Sequence, residues 1–183
     1  MNRLTTRELA YGAMGVALLS VCSWLSIPTT VPFTMQTFAV CLLAALFGWK
    51  LGALSVAAWL LLGALGAPVF AGFTGGPAAL LGVTGGYLAG FLFTALVVGG
   101  EAERGGRELR TLLPAMALGL LLCYTFGTAW FLFVYARQTG PIGLGTALAW
   151  CVLPYLIPDA VKLTLAAALA KRLYPLLSKE RST

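Results

Sequence analysis

Asp159 and Lys162 stand three residues apart in the stretch "WCVLPYLIPDAVKLTLAAALA", whose other side chains are all uncharged. At that spacing both occupy one face of a helix, about a turn apart, and can serve a single pocket. A carboxylate accepts N–H hydrogen bonds and an ammonium donates to a carbonyl or carboxylate, so together they suit a small polar heterocycle carrying both kinds of group. Each charge costs on the order of 3 kcal/mol at the centre of a bilayer-spanning helix, which calls for compensation or a purpose. Fixing helix packing would be a poor purpose, because a buried ion pair stabilises little over apolar side chains of the same volume. Pro154 and Pro158 remove two backbone donors four residues apart. They predict a kink or restart that leaves Asp159 at a half-helix N-terminus, where its ionised form is favoured.

The elements that must hold this pair are membrane helices. The 183 residues are 60% hydrophobic and only 10% charged, too apolar for a soluble domain of this size. No charge falls between Glu8 and Lys50, Lys50 and Glu101, Arg110 and Arg137, or Arg137 and Asp159. With roughly 20 apolar residues per crossing, these gaps predict an all-α, polytopic protein of six transmembrane helices near 8–27, 34–49, 51–66, 82–100, 112–136 and 144–174. They form one membrane domain over 1–183. Both termini then share a side with Lys50 and the loop "EAERGGRELR", and ten of the twelve Lys and Arg residues lie there. By the positive-inside rule that side is the cytoplasm of a multi-pass cell-membrane protein. The net charge of +6 is thereby explained by the lipid bilayer and needs no nucleic acid. Helix 1 is too long, and lacks the cleavage pattern, for a removed signal peptide.

Composition also removes chemistry. There is no histidine, hence no Ser-His nucleophile and no H-E-x-x-H zinc site, and no G-x-x-x-x-G-K-[ST] loop for ATP. Asp159 is the only aspartate, so no carboxylate cluster suggests a metal. Cys22, Cys41, Cys123 and Cys151 stand singly in apolar spans as small core residues. The chain reads as a binding protein rather than an enzyme, without a cofactor.

Helices 2 and 3 are short, about 16 residues or roughly 24 Å each, against a hydrocarbon core of about 30 Å. They share the tight inner turn "FGWKLG", so the shortfall lies outside, and non-helical backbone at membrane depth must be buried by protein or line a cavity. The expectation is a cup open to the outside. Counting up from Lys171, Lys162 lies about 13 Å and Asp159 about 18 Å along the helix, at the level of that cup. Tyr87 and Gln36 are by position pocket neighbours, or equally an interface anchor or helix cap. Gly75 and Gly76 belong to the glycine-rich connection "GAPVFAGFTGGPAALLGVTGGY", expected to close over the cup, and Trp24, Trp49 and Trp150 to the aromatic belts. On helix 1, Ala13 and Ala17 form a small-x-x-x-small stripe that packs inside the bundle or docks a partner.

The segments "VPFTMQT", "GAPVFAG", "TGGYLAGF" and "PDAVK" resemble, in order and over most of the chain, the landmarks of the BioY family, the biotin-specific S components of energy-coupling factor transporters. One departure is Val83, where the family's usual motif has proline. The resemblance implies a six-helix protein that binds biotin from outside and delivers it inward with a transmembrane coupling protein and two ATPase subunits, which use the ATP. Asp159 and Lys162 would hold the biotin head group beside Tyr87, with Lys162 on the ureido oxygen or on the carboxylate. Ala13 and Ala17 would match the helix-1 A-x-x-x-A that docks on the coupling protein. A reading of a different class is a small proton-coupled carrier for a polar heterocycle, with Asp159 as the protonation site.

Overall fold

The computed structural model describes residues 5–181, the side chains of 179–181 excepted. Arg3 and the side chains of Lys179 and Arg181, counted above among the inner basic residues, lie outside that part. The fold is almost wholly helical: α1 (Thr6–Trp24), α2 (Gln36–Ala64), α3 (Pro77–Leu81), α4 (Gly85–Gly105), α5 (Leu109–Gln138), α6 (Leu144–Cys151) and α7 (Leu156–Arg181). A departure from the all-α expectation is a two-residue antiparallel pair between α1 and α2, β1 (Ser26–Ile27) with β2 (Phe33–Thr34), in register Ser26 to Thr34. Four stretches among the described residues are long and apolar enough to cross a membrane: Gln36–Ala64, Gly85–Gly105, Leu109–Gln138 and Leu144–Ser178.

Local chemistry explains the boundaries. Thr5 and Glu8 cap α1 reciprocally: Glu8 N–H donates to Thr5 Oγ1 at 3.2 Å, and Thr5 N–H to Glu8 Oε2 at 2.8 Å. Helix α2 is not one rod. Gly48 takes φ 81°, ψ −179°, a left-handed conformation that favours glycine, and the chain doubles back there. Its arms, 36–47 and 49–64, roughly 18 Å and 24 Å long, fall where two separate helices were expected at 34–49 and 51–66. Gly52 lets them meet closely, since a β-carbon there would sit 2.9 Å from the Ala44 Cα. Where one span was expected over 144–174, α6 ends at a break (Val152, φ −126°, ψ −57°) and α7 starts afresh.

Small residues bring α4 and α5 into close contact. Gly90 leaves no room for a β-carbon beside Cys123, and Gly119 backs directly onto Thr94, whose hydroxyl donates to the Gly119 carbonyl at 2.9 Å. In lipid, where apolar burial gives helices no reason to associate, such backbone proximity is the main source of attraction. The segment "EAERGGRELR" is shorter as a loop than its polarity predicted. α4 remains helical through Gly105, and Gly106–Glu108 alone make the connection. Arg107 reaches back from it to the Ala45 carbonyl (3.2 Å) and lies 3.7 Å over the Tyr174 ring. Trp49 N–H, first in the second arm of α2, donates to Glu103 Oε1. These contacts gather the charged connections at one end of the bundle, opposite the cavity described next.

Candidate binding site

At the other end the starts of α2, α4 and α7 and the middle of α5 enclose a cavity of about 260 Å³. The restart of α7 aims its two charges into it. The turn Leu153–Tyr155 carries Pro154, and Pro158 falls in the first turn of α7, where a missing N–H costs no helical hydrogen bond. Asp159 follows in that same turn, as its dipole favours. Lys162, one turn on, donates to Asp159 Oδ1 at 2.7 Å, and the two residues are only 3% and 4% exposed.

Two aromatic residues that the sequence reading did not single out hold this pair. Tyr124 of α5 donates its hydroxyl to Asp159 Oδ2 at 2.5 Å. Phe33 of β2 lies with its ring 4.0 Å from Lys162 Nζ, a cation–π contact that helps a desolvated ammonium. Both carboxylate oxygens are therefore held, each with a lone pair to spare, and the ammonium carries three donors of which Asp159 takes one. Leu88, Phe91 and Leu120 add apolar walls. The arrangement presents an acceptor and a donor side by side within an apolar slot, which is recognition chemistry for a heterocyclic amide.

Gln36 and Tyr87 both line the cavity, as expected, but their polar atoms are engaged with the protein. Gln36 Nε2 donates to Ser23 Oγ at 2.7 Å and its Oε1 accepts from Thr34 Oγ1 at 2.9 Å, tying β2 and α2 to α1. The Tyr87 hydroxyl shares a hydrogen bond with Thr128 Oγ1 at 2.9 Å, so its ring faces the cavity while its polar tip joins α4 to α5.

Gly75 and Gly76 do not line the cavity; Ala71, Thr74 and Ala79 of the same connection do. The glycines shape the backbone instead. Gly76 has φ 91° and donates its N–H to the Gly63 carbonyl at 2.6 Å, and any side chain at Gly75 would run into the Ala67 carbonyl.

That connection is pinned by tryptophans. The indole N–H groups of Trp24, Trp59 and Trp130 donate to the carbonyls of Pro68 (2.8 Å), Val69 (3.2 Å) and Gly82 (2.9 Å). Trp24, expected in an aromatic belt, is thus also a clamp. Trp49 and Trp150 are partly exposed near the two ends. On the cavity's other side, Tyr155 donates to the Val31 carbonyl and shares a hydrogen bond with Thr29 Oγ1 (2.9 Å), fixing the turn between β1 and β2. All four cysteines are buried free thiols, with Cys123 and Cys151 in the cavity wall. The described residues contain no cluster of side chains that could hold a metal ion. On α1, Ala13 and Ala17 are exposed, while Gly15 packs against Ser55 on the opposite face. The stripe faces out of the bundle.

With this geometry in view, comparison with known proteins gives one consistent answer. The chain is 40% identical over 171 residues to a probable biotin transporter BioY of Pyrococcus horikoshii, covering 93% of this chain and 98% of that one. It is 40% identical over 168 residues to the biotin transporter BioY of Thermotoga maritima, covering 91% and 95%. Its fold matches a crystal structure of the S component for biotin from an ECF-type ABC transporter with a TM-score of 0.82, at 28% identity, over 93% of this chain and 94% of that one. The BioY family profile matches residues 1–179, and the chain belongs to the BioY family.

Proposed function

We propose that this membrane protein is the biotin-capturing S component of an ECF-type importer, and that the cavity floored by Asp159 and Lys162 is where biotin sits. The observation that carries this reading is the buried ion pair, with both charges on the wall of one cavity and a donor and an acceptor left for a ligand. Biotin's ureido ring has two N–H groups and one carbonyl. Asp159 accepts from a ureido N–H, Lys162 donates to the ureido oxygen, and Tyr124 fixes the direction of the carboxylate. The thiophane ring lies against Leu88, Phe91, Leu120 and the Tyr87 ring, and the valerate chain runs toward the rim.

The protein has six membrane crossings, counting the two arms of α2 separately and α6 with α7 as one, with both termini cytoplasmic. Supporting this are the basic residues gathered at the end opposite the cavity. With no nucleotide loop in its sequence, the chain obtains energy from a transmembrane coupling protein and two ATPase subunits. The exposed stripe of Ala13 and Ala17 on α1 is the docking face for that coupling protein.

Mass spectrometry of small molecules released from the purified protein, with calorimetric titration of biotin, tests the ligand. A different vitamin in the released fraction would sink the assignment. For the docking face, Ala13→Trp with Ala17→Trp is expected to keep biotin binding in the isolated protein and to abolish ATP-dependent uptake and co-purification with the coupling module. Intact uptake in that variant would move the contact to another surface. Uptake by the protein alone, driven by a proton gradient, would favour a carrier instead.

A further inference from the structure

The cavity's two ends differ in charge. Its floor holds Asp159 and Lys162, the only charged side chains that line it among the described residues. Its rim, the less buried part of the lining, is made by Val31, Pro32, Ala71, Thr74, Ala79 and Thr84. The segments that supply the rim carry no charge at all, since residues 9–49 and 51–100 contain only neutral side chains. Arg137, in the last turn of α5, is not in the lining and lies 4.3 Å over the Phe133 ring. Lys162, at the floor, is already paired with Asp159 at 2.7 Å and covered by Phe33.

We infer that this site reads only the head group of its ligand and takes biotin amides and esters as well as the free acid. The inference rests on the biotin assignment above. With the ureido ring on the floor, the far end of the ligand reaches the rim, where the only side-chain polar groups are the hydroxyls of Thr74 and Thr84. The Thr74 hydroxyl donates to the Ala71 carbonyl at 2.9 Å and keeps acceptor capacity, while that of Thr84 can donate or accept, so the rim serves a carboxylate, an amide or an ester carbonyl alike. A carboxylate there keeps its own water and gains no fixed counter-charge. Replacing it with a neutral group strands no buried charge on the protein, which is the circumstance that makes a site reject an analogue strongly. Bulk is tolerated too, because a substituent on the amide nitrogen points outward from the rim.

Calorimetric or competition binding of biotin, biotinamide, biotin methyl ester and an N-alkyl biotinamide to the purified wild-type protein tests this. The expected result is that all four bind within about fivefold of one another, and that biotin affinity is insensitive to added salt. Lys162→Met is expected to weaken acid and amide by the same factor, leaving their ratio unchanged. Loss of about a hundredfold or more for the neutral analogues would overturn the inference, since that is the scale of a severed charge pair. So would a Lys162→Met protein in which biotin falls to the level of an unaffected biotinamide, because Lys162 would then serve the carboxylate. Failure of biotin itself to bind would remove the head-group assignment, whereas biotin binding without the amides removes this inference alone.

Discussion

The two ends of the bundle solve the same problem with different chemistry. At the end away from the cavity, backbone groups left over where helices stop are met by charged side chains: Arg107 on the Ala45 carbonyl, Glu103 on the Trp49 N–H, with Lys171 and Glu108 paired at 2.6 Å beside them. At the cavity end two irregular segments are held without any charged residue, the long connection by three indoles and the turn between β1 and β2 by the Tyr155 phenol. A guanidinium suits the C-terminal end of a half-helix, where its charge meets the dipole. An indole offers one donor on a large apolar body, so it can satisfy a carbonyl at membrane depth without bringing a charge there. The comparison teaches that the cavity pair is the exception among the groups that hydrogen-bond at its end of the molecule, where the other charge, Arg137, lies over the Phe133 ring. Asp159 and Lys162 are ionisable groups in a region that otherwise does all its hydrogen bonding with neutral ones.

Removing that exception should have the largest effect. Asp159→Asn and Lys162→Met are each expected to weaken biotin binding at least tenfold, about 1.4 kcal/mol, while the protein stays monodisperse. Titration of both variants decides it, and near-wild-type affinity in the two would return the pair to a packing role.

An effect on stability, with binding left to the pair, should separate the two ends. Trp59→Phe and Trp130→Phe keep a ring but leave the Val69 or Gly82 carbonyl without its donor, at a cost of about 1–3 kcal/mol in stability. Thermal unfolding in detergent should show a lower melting temperature that added salt does not alter. Unchanged melting would mean that packing alone holds the connection.

The smallest effect belongs to the exposed pair of Lys171 and Glu108. The hydrogen bond from Lys171, then its charge and that of Arg110, hold the Glu108 carboxyl below its ordinary pKa. A depressed folded-state pKa contributes stability above the unfolded value, and that contribution is lost as pH falls through the folded one. Glu108→Gln should therefore lower the melting temperature slightly at neutral pH and not at all in strong acid, because exposed pairs are well screened. An equal loss at both pH values would assign the effect to something other than charge.

How much of this could be read in the sequence follows from where each signal lay. Charges in an apolar run are conspicuous, so the Asp159–Lys162 pair and its restart at the two prolines stood out, as did the Gly48 reversal within "FGWKLG". Tyr124 and Phe33 did not, because an aromatic residue in an apolar stretch looks the same whether it faces lipid, core or cavity. Gly75 and Gly76 were visible as glycines, yet their positions answer to the Ala67 and Gly63 carbonyls and not to the cavity. The polar segment 101–110 read as a loop because polarity and irregularity usually coincide, whereas here α4 stays helical through Gly105.

The pinned connection over 65–84 also places an indole where it can serve as an optical reporter. Of its five tryptophans, Trp59 alone is completely buried. Its indole stands edge-on to Phe70 with the ring centres 4.9 Å apart, and Phe70 lines the cavity. That one indole, bonded to a carbonyl one residue before Phe70, stands one ring away from the cavity, and its emission is expected to shift when the cavity fills. A chain in which the other four tryptophans are replaced would turn capture of a colourless vitamin into a change of fluorescence, readable in real time.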